Sequence, residues 1–201
     1  MKKLLFVSAI IIAATTSALA QSEGGGFKPF KVDISFGYAV PVGGGTGGKG
    51  GALFAIEPKY AISSAITLGL RLEGAVTVAG IDAAGNVSNN ASAKAAASYL
   101  ATGDYYFTEN DIRPFVGAGA GLFSTAGVVA STSNPNIAQG SKFGGMLRGG
   151  MEYKHLRIGV EYNLISKTTV PQSTAGANDG YTVKNSYVGI KLGVLIGGGR
   201  K

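Results

Sequence analysis

Eight stretches of this chain carry apolar residues at every second position, and a period of two restricts each stretch to a strand with one apolar face. The pattern is clearest where Ile66, Leu68, Leu70, Leu72, Gly74, Val76 and Val78 alternate with Thr67, Gly69, Arg71, Glu73, Ala75 and Thr77. Val32, Ile34, Phe36, Tyr38 and Val40 alternate in the same way with Lys31, Asp33, Ser35, Gly37 and Ala39. Five further segments repeat it around Phe54 to Ile62, Tyr99 to Phe107, Phe143 to Tyr153, Leu156 to Leu164 and Ser186 to Ile196. In the eighth, Phe115 to Phe123, glycine and alanine dominate both faces, so the phase of that strand stays open.

The connections between these segments alternate in length. Those at Ser63-Ser64-Ala65, Thr108 to Ile112 and Lys154-His155 are tight, and those at Pro41 to Gly51, Gly80 to Ala93, Ser124 to Ser141 and Lys167 to Tyr181 are long. In a meander this gathers the tight turns at one end and the long loops at the other. With strands of about ten residues, that is the arrangement of a bacterial outer-membrane barrel with periplasmic turns and extracellular loops.

The first twenty residues prescribe export. Met1-Lys2-Lys3 precede the apolar run Leu4 to Ala14, and Ala18-Leu19-Ala20 supplies a small-residue cleavage site, the order of a Sec-type secretory signal. The predicted division is a signal peptide at 1–20, a flexible leader at 21–28, an outer-membrane barrel at 29–197 and a C-terminal tail at 198–201. Without Lys2 and Lys3 the formal charge falls from +7 to +5, a modest excess that does not suggest nucleic-acid binding. There is no cysteine, which excludes a disulfide framework.

Alternation alone fits two barrels. A soluble carrier buries its apolar face, and a membrane barrel turns that face outward. The composition of the polar face favours the second, because Glu57, Arg71, Glu73, Asp104, Arg148, Glu152, Arg157, Glu161 and Lys191, with Lys59 among them, mix both signs and can neutralise one another inside a narrow lumen. Many apolar-face positions are Gly or Ala, too small to fill a soluble core. The predicted fold is therefore all-β, an eight-stranded antiparallel up-and-down transmembrane β-barrel. Tyr38, Tyr60, Tyr99, Tyr105, Phe107, Phe115, Phe143, Tyr153, Tyr162 and Tyr187 are expected in interfacial girdles.

The run Thr102-Gly103-Asp104-Tyr105-Tyr106-Phe107-Thr108-Glu109-Asn110, then Arg113-Pro114-Phe115-Val116-Gly117-Ala118-Gly119-Ala120-Gly121, resembles the central hairpin of the outer-membrane β-barrel domain family. These are the small porin-like, OmpA-like and OmpW-like barrels of Gram-negative bacteria, common in Bacteroidetes. Asn185 to Gly193 is similar to that family's last strand. The resemblance implies localisation in the outer membrane and insertion by the barrel assembly machinery. The chain departs from the family's terminal aromatic residue, running past Ile196 into Gly197-Gly198-Gly199-Arg200-Lys201.

Catalytic constellations are not found. Gly43 to Gly50 approaches a phosphate-binding loop but has Gly50 where the magnesium-contacting hydroxyl belongs. The single histidine, His155, falls in a tight turn, away from the outer rim. No His, Cys and carboxylate set has metal-ligand spacing. The expectation is a non-enzymatic monomer without cofactor that contributes to the envelope or to surface interaction through its long loops. A narrow porin-like channel, using the room left by Gly37, Gly69, Gly144, Gly150 and Gly159, and a soluble periplasmic carrier are the alternatives. Lys49, Lys94, Lys142, Lys167 and Lys184 fall near the outer strand ends, where they are expected to form a basic collar for lipopolysaccharide phosphates.

Overall fold

A computed structural model describes residues 27–42, 48–81, 87–129, 136–166, 168–170, 181–183 and 185–200. The expected signal peptide and most of the expected leader lie outside the described residues. Eight strands form the barrel: β1 Phe27–Pro41, β2 Gly51–Ala61, β3 Ile66–Ile81, β4 Val87–Tyr106, β5 Ile112–Val129, β6 Asn136–Tyr153, β7 Leu156–Ile165 and β8 Tyr187–Arg200. Each pairs antiparallel with the next, and β8 returns to pair with β1, so the sheet is closed. Gly48–Lys49 adds a short rung to β3. Thr168–Val170 and Tyr181–Val183 form a small hairpin above β7 and β8.

The register fixes the shape of the cylinder. Stepping directly across from Lys31 leads through Lys59, Gly69, Thr102, Gly119, Met146, Asn163 and Tyr187 back to β1 at Pro41. One circuit thus climbs from 31 to 41, a shear of ten residues over eight strands. At ~3.3 Å per residue and ~4.8 Å between strands, the strands tilt by about 40°. An eight-stranded barrel of this kind is just wide enough to be filled by its own side chains.

Local chemistry holds the tight turns. Ser63 Oγ accepts from the amides of Ala65 and Ile66 at 3.3 and 3.0 Å, an ST-type turn between β2 and β3. Thr108 Oγ1 donates to the Ile112 carbonyl at 2.8 Å between β4 and β5. Lys154 takes φ 53 in the two-residue turn between β6 and β7, the left-handed region such hairpins use. At the seam between β8 and β1 the register slips between Lys28 and Lys31, where Gly197 and Gly198 sit at φ 81 and 72, conformations that favour glycine at a bulge.

Five strand limits differ from the sequence reading. β4 runs for 20 residues and β5 and β6 for 18 each, so much of the expected loops Gly80 to Ala93 and Ser124 to Ser141 continues the ladder. Phe27 and Lys28, placed in the leader, and Gly198 to Arg200, placed in the tail, are strand residues. The period of two fades there because those segments are rich in small and uncharged polar residues on both faces.

The two faces of the sheet differ sharply. Phe36, Leu68, Leu70, Val116, Leu147, Met151, Ile158, Val160, Ile190, Leu192 and Val194 are exposed on the outside, Leu70 at 64%. Between them the outer face carries two sets of aromatic rings, Tyr38, Phe54, Tyr99 and Phe143 toward the long loops and Tyr60, Tyr105, Phe107 and Tyr153 toward the tight turns. Three expected girdle residues are not among them: Tyr162 keeps the outward phase of β7 but is half-buried, and the other two turn away from the outside. Phe115 and Tyr187 are 2% and 4% exposed and point inward, because each shares the phase of its strand's buried positions. Phe115 thereby settles the open phase of β5, whose outward residues are Val116, Ala118, Ala120 and Leu122.

Candidate functional site

The lumen is built from the inward phase of all eight strands and is divided into two tiers. The tier on the tight-turn side is charged. Among the described residues it holds six cations with side chains at most 11% exposed, Lys31, Lys59, Arg71, Arg148, Arg157 and Lys191, against six carboxylates, Asp33, Glu57, Glu73, Asp104, Glu152 and Glu161. These twelve buried groups sum to zero formal charge, which is what a narrow, poorly hydrated lumen requires of buried ions, while Arg113, 24% exposed at the tight-turn mouth, reaches Glu152 at 3.7 Å.

Its lower group centres on Asp104 and Glu57. Arg148 grips Glu57 with both terminal nitrogens at 2.7 Å and Asp104 through Nε at 2.7 Å, a bidentate geometry only a guanidinium supplies. Lys59 Nζ reaches Asp104 at 2.9 Å, and Arg157 Nη2 reaches the same carboxylate at 2.8 Å. Thr102 donates to Glu57 at 2.5 Å. Nearer the tight turns, Lys31 binds Glu152 at 3.0 Å. Tyr106 donates its hydroxyl to Glu152 at 2.7 Å and accepts from Arg157 at 2.8 Å and Lys31 at 3.1 Å. The Arg157 guanidinium also lies 3.6 Å from the centre of the Phe115 ring, a cation–π contact. An upper group joins Arg71 to Glu73 and, at 2.5 Å, to Glu161. Lys191 binds Glu161 at 2.5 Å, Tyr187 donates to Glu73 at 2.5 Å and Asn163 donates to Glu161 at 3.0 Å.

The second tier, on the long-loop side, is apolar. Ala39, Leu53, Ala75, Leu100, Phe123, Met146, Ile165 and Tyr187 form one cluster, and each comes from a different strand, β1 to β8 in order. In each strand that carries one of the twelve paired ions, this residue lies nearer the long-loop end than that ion. The eight side chains therefore make a ring that closes the lumen above the ions.

The structure thus places all nine network residues named from the sequence inside the lumen, five in the lower group and four in the upper, each paired with an opposite charge. Lys31, Asp33, Thr102, Tyr106 and Asn163 belong to the same constellation and were not singled out, and Tyr187, expected in a girdle, joins it through Glu73. The phase was the available signal, because each lies an even number of residues from a charged lumen position on its own strand or beside one. The room expected at the lumen glycines is taken. A Cβ on Gly69 would meet Glu57 Oε1 at 2.7 Å and Thr102 Oγ1 at 2.8 Å, one on Gly144 would meet the Phe123 ring at 2.8 Å, and ones on Gly37 and Gly150 would meet backbone carbonyl oxygens at 2.1 Å. Gly159 alone among the five has ordinary contact distances, 3.4 and 3.5 Å. It borders a cavity of about 20 Å³ beside Asp33, Ser35, Arg157 and Lys191. Among the described residues the lumen shows no apolar chamber of the kind a soluble carrier encloses.

Of the collar lysines, Lys142 stands opposite Phe123 and shares its inward phase, at the outer end of the lumen. Lys49 and Lys94 occupy register positions opposite Val78 and Thr77. Lys167 and Lys184 lie outside the described residues, as does most of the Gly43 to Gly50 loop. His155 sits in the β6–β7 turn with Nδ1 2.9 Å from the Leu195 carbonyl, at the end opposite the long loops.

Tyr106 offers a test of the lower group. Tyr106→Phe removes one hydroxyl that bridges three charged side chains and is expected to lower unfolding free energy by about 1–3 kcal/mol. Urea unfolding of the refolded barrel in detergent measures it. An unchanged midpoint contradicts the bonding described.

No protein-family model and no curated protein matches the sequence. Among solved structures, Neisserial surface protein A is 20% identical, with 85% of this chain and 98% of that chain covered and a TM-score of 0.55. The outer membrane protein OprG of Pseudomonas aeruginosa is 12% identical, covering 86% and 98%, with a TM-score of 0.49. Ail, the attachment invasion locus protein of Yersinia pestis, is 14% identical, covering 89% and 100%, with a TM-score of 0.42. The likeness to the Neisserial protein shows a shared fold, the closed eight-stranded antiparallel barrel.

Proposed function

We propose that this chain is exported, inserted into the outer membrane and retained there as a non-catalytic barrel that serves the envelope or surface interaction through its long-loop rim. One observation carries the reading: the apolar residues face outward and the neutralised charges face inward. In water that distribution would leave a continuous apolar belt exposed. In a bilayer it buries the belt, and closure of the sheet satisfies every backbone group that lipid cannot. Ten residues at a 40° tilt cover about 25 Å, the height of an outer-membrane apolar band, and the aromatic sets at either end fit its interfaces. The Neisserial protein of the same fold is called a surface protein, which agrees.

The test is fractionation and gel migration. The protein is expected in the detergent-extracted outer-membrane fraction, with N-terminal sequencing placing Gln21 first, and its mobility is expected to change on boiling. Recovery as a soluble periplasmic protein with no change contradicts the reading. A narrow channel is the weaker alternative, since ion pairs fill one tier and an apolar ring closes the other. Planar-bilayer recordings of the purified barrel are expected to show no steady conductance, and regular steps would reverse that choice.

Lipopolysaccharide and the barrel assembly machinery are the partners this reading implies. Because the lumen charges cancel, the positive excess belongs to the rims, where Lys49, Lys94, Lys142, Lys167 and Lys184 would meet lipid phosphates. Lys142 would have to turn over the rim to do so, given its inward phase. Replacing all five by Gln is expected to reduce co-purifying lipopolysaccharide, and an unchanged amount rejects the collar.

A further inference from the structure

The barrel wall is uneven above the apolar ring. β3 to β6 rise well past it as two paired hairpins, Ala79 opposite Ser92 and Val129 opposite Asn136. One side of this raised wall is covered, because Gly48 and Lys49 pair with Ala79 and Val78 of β3. The other side is β6, which pairs with β5 from Asn136 onward but meets β7 only from Gly144, opposite Ile165. Backbone of β6 over 136–143 is therefore a sheet edge among the described residues. A Cβ on Gly140 would have nothing within 4 Å.

A second edge stands in line with it. Thr168–Val170 continues the direction of β7 and pairs on one side with Tyr181–Val183. Continuing the β7–β8 ladder from Asn163 opposite Tyr187 would put Thr168 opposite Thr182. The structure pairs it with Val183, a slip of one residue, so the hairpin is the same ladder resumed. Since β7 lies between β6 and β8, the remaining edge of Thr168–Val170 belongs to the β6 side. Extending the β6–β7 register from Gly144 opposite Ile165 brings Thr168 opposite Ser141 and Val170 opposite Gln139.

We propose that Thr168–Val170 docks on β6 at Gln139–Ser141, extending the β6–β7 ladder and closing the raised wall into a complete cylinder. The occupant is this chain's own segment because it resumes a ladder already formed and the projected β6–β7 register sets it beside Gln139–Ser141. Docking covers an edge that would otherwise be open to any extended strand. A second copy in the same membrane fits poorly: its axis would run along the membrane normal, so two edges each tilted about 40° would cross at about 80°.

The chain has no cysteine, so a disulfide can report the docking directly. Directly opposed strand residues bring Cα atoms to about 4.5–5.5 Å, within disulfide reach. Ser141→Cys with Thr168→Cys, oxidised in the refolded full chain, is expected to give a cross-linked monomer at least about tenfold faster than Asn136→Cys with Thr168→Cys, which the same register separates by about 17 Å. The heat-dependent gel shift of both reduced variants confirms that each folds. Equal rates for the two pairs overturn the proposal. A disulfide-linked dimer from Ser141→Cys alone, outpacing the intramolecular product, also overturns it and assigns the edge to a second copy.

Discussion

Arg148→Met is expected to destabilise the barrel by about 3–5 kcal/mol, the range for removing one partner of a buried ion pair. Arg148 alone holds both oxygens of Glu57 at 2.7 Å and one of Asp104. Asp104 keeps Lys59 and Arg157, but Glu57 is left with the Thr102 hydroxyl and Lys59 at 3.6 Å. The loss is therefore mainly the cost of a carboxylate at 2% exposure left with one hydroxyl and one distant ammonium, more than of a missing attraction. It follows that Arg148→Met with Glu57→Met should cost much less than the two single changes added, because the double variant leaves no orphaned ion. Unfolding free energies of the four proteins in one lipid system close this cycle, and additive costs would show that the pair is not coupled.

The second large effect is expected on the outer face. Leu70 lies opposite Ala101, between the two aromatic sets. An arginine at the middle of a lipid-facing strand costs about 2–4 kcal/mol and one near the interface about 0–1 kcal/mol. Leu70→Arg should therefore destabilise the inserted barrel by about 2–4 kcal/mol, and Val40→Arg, beside the long-loop rim, by no more than about 1 kcal/mol. This depth dependence belongs to a bilayer. A barrel standing in water would accept arginine at both exposed sites, so equal and small costs would count against insertion.

The strand phase was legible wherever bulky residues marked one face, as in β3, where Leu68, Leu70 and Leu72 alternate with Arg71 and Glu73. It was not legible in β5, where Gly117, Ala118, Gly119, Ala120 and Gly121 give no contrast and only the burial of Phe115 and Phe123 decides. The lumen charges could be named from phase, but their partners could not. Lys31 meets Glu152 across 121 residues of sequence, and that meeting depends on the shear of ten, which no single strand encodes. The same gap explains Tyr187. Its aromatic ring suggested an interface, and only the register shows it closing the apolar ring while its hydroxyl reaches Glu73. Strand ends were hidden for a different reason, because stretches such as Ser88 to Ala93 and Ser124 to Gly127 carry small or uncharged polar residues at consecutive positions and show no alternation.

The chain contains no tryptophan, so Leu70→Trp supplies a single fluorophore at the centre of the outward belt. Measured in vesicles whose acyl chains carry bromine, its emission should be blue-shifted and strongly quenched, as contact with lipid requires. Emission at longer wavelength, unquenched by bromine and with the protein remaining in the aqueous phase, would contradict the claim that this barrel turns its apolar face to a membrane.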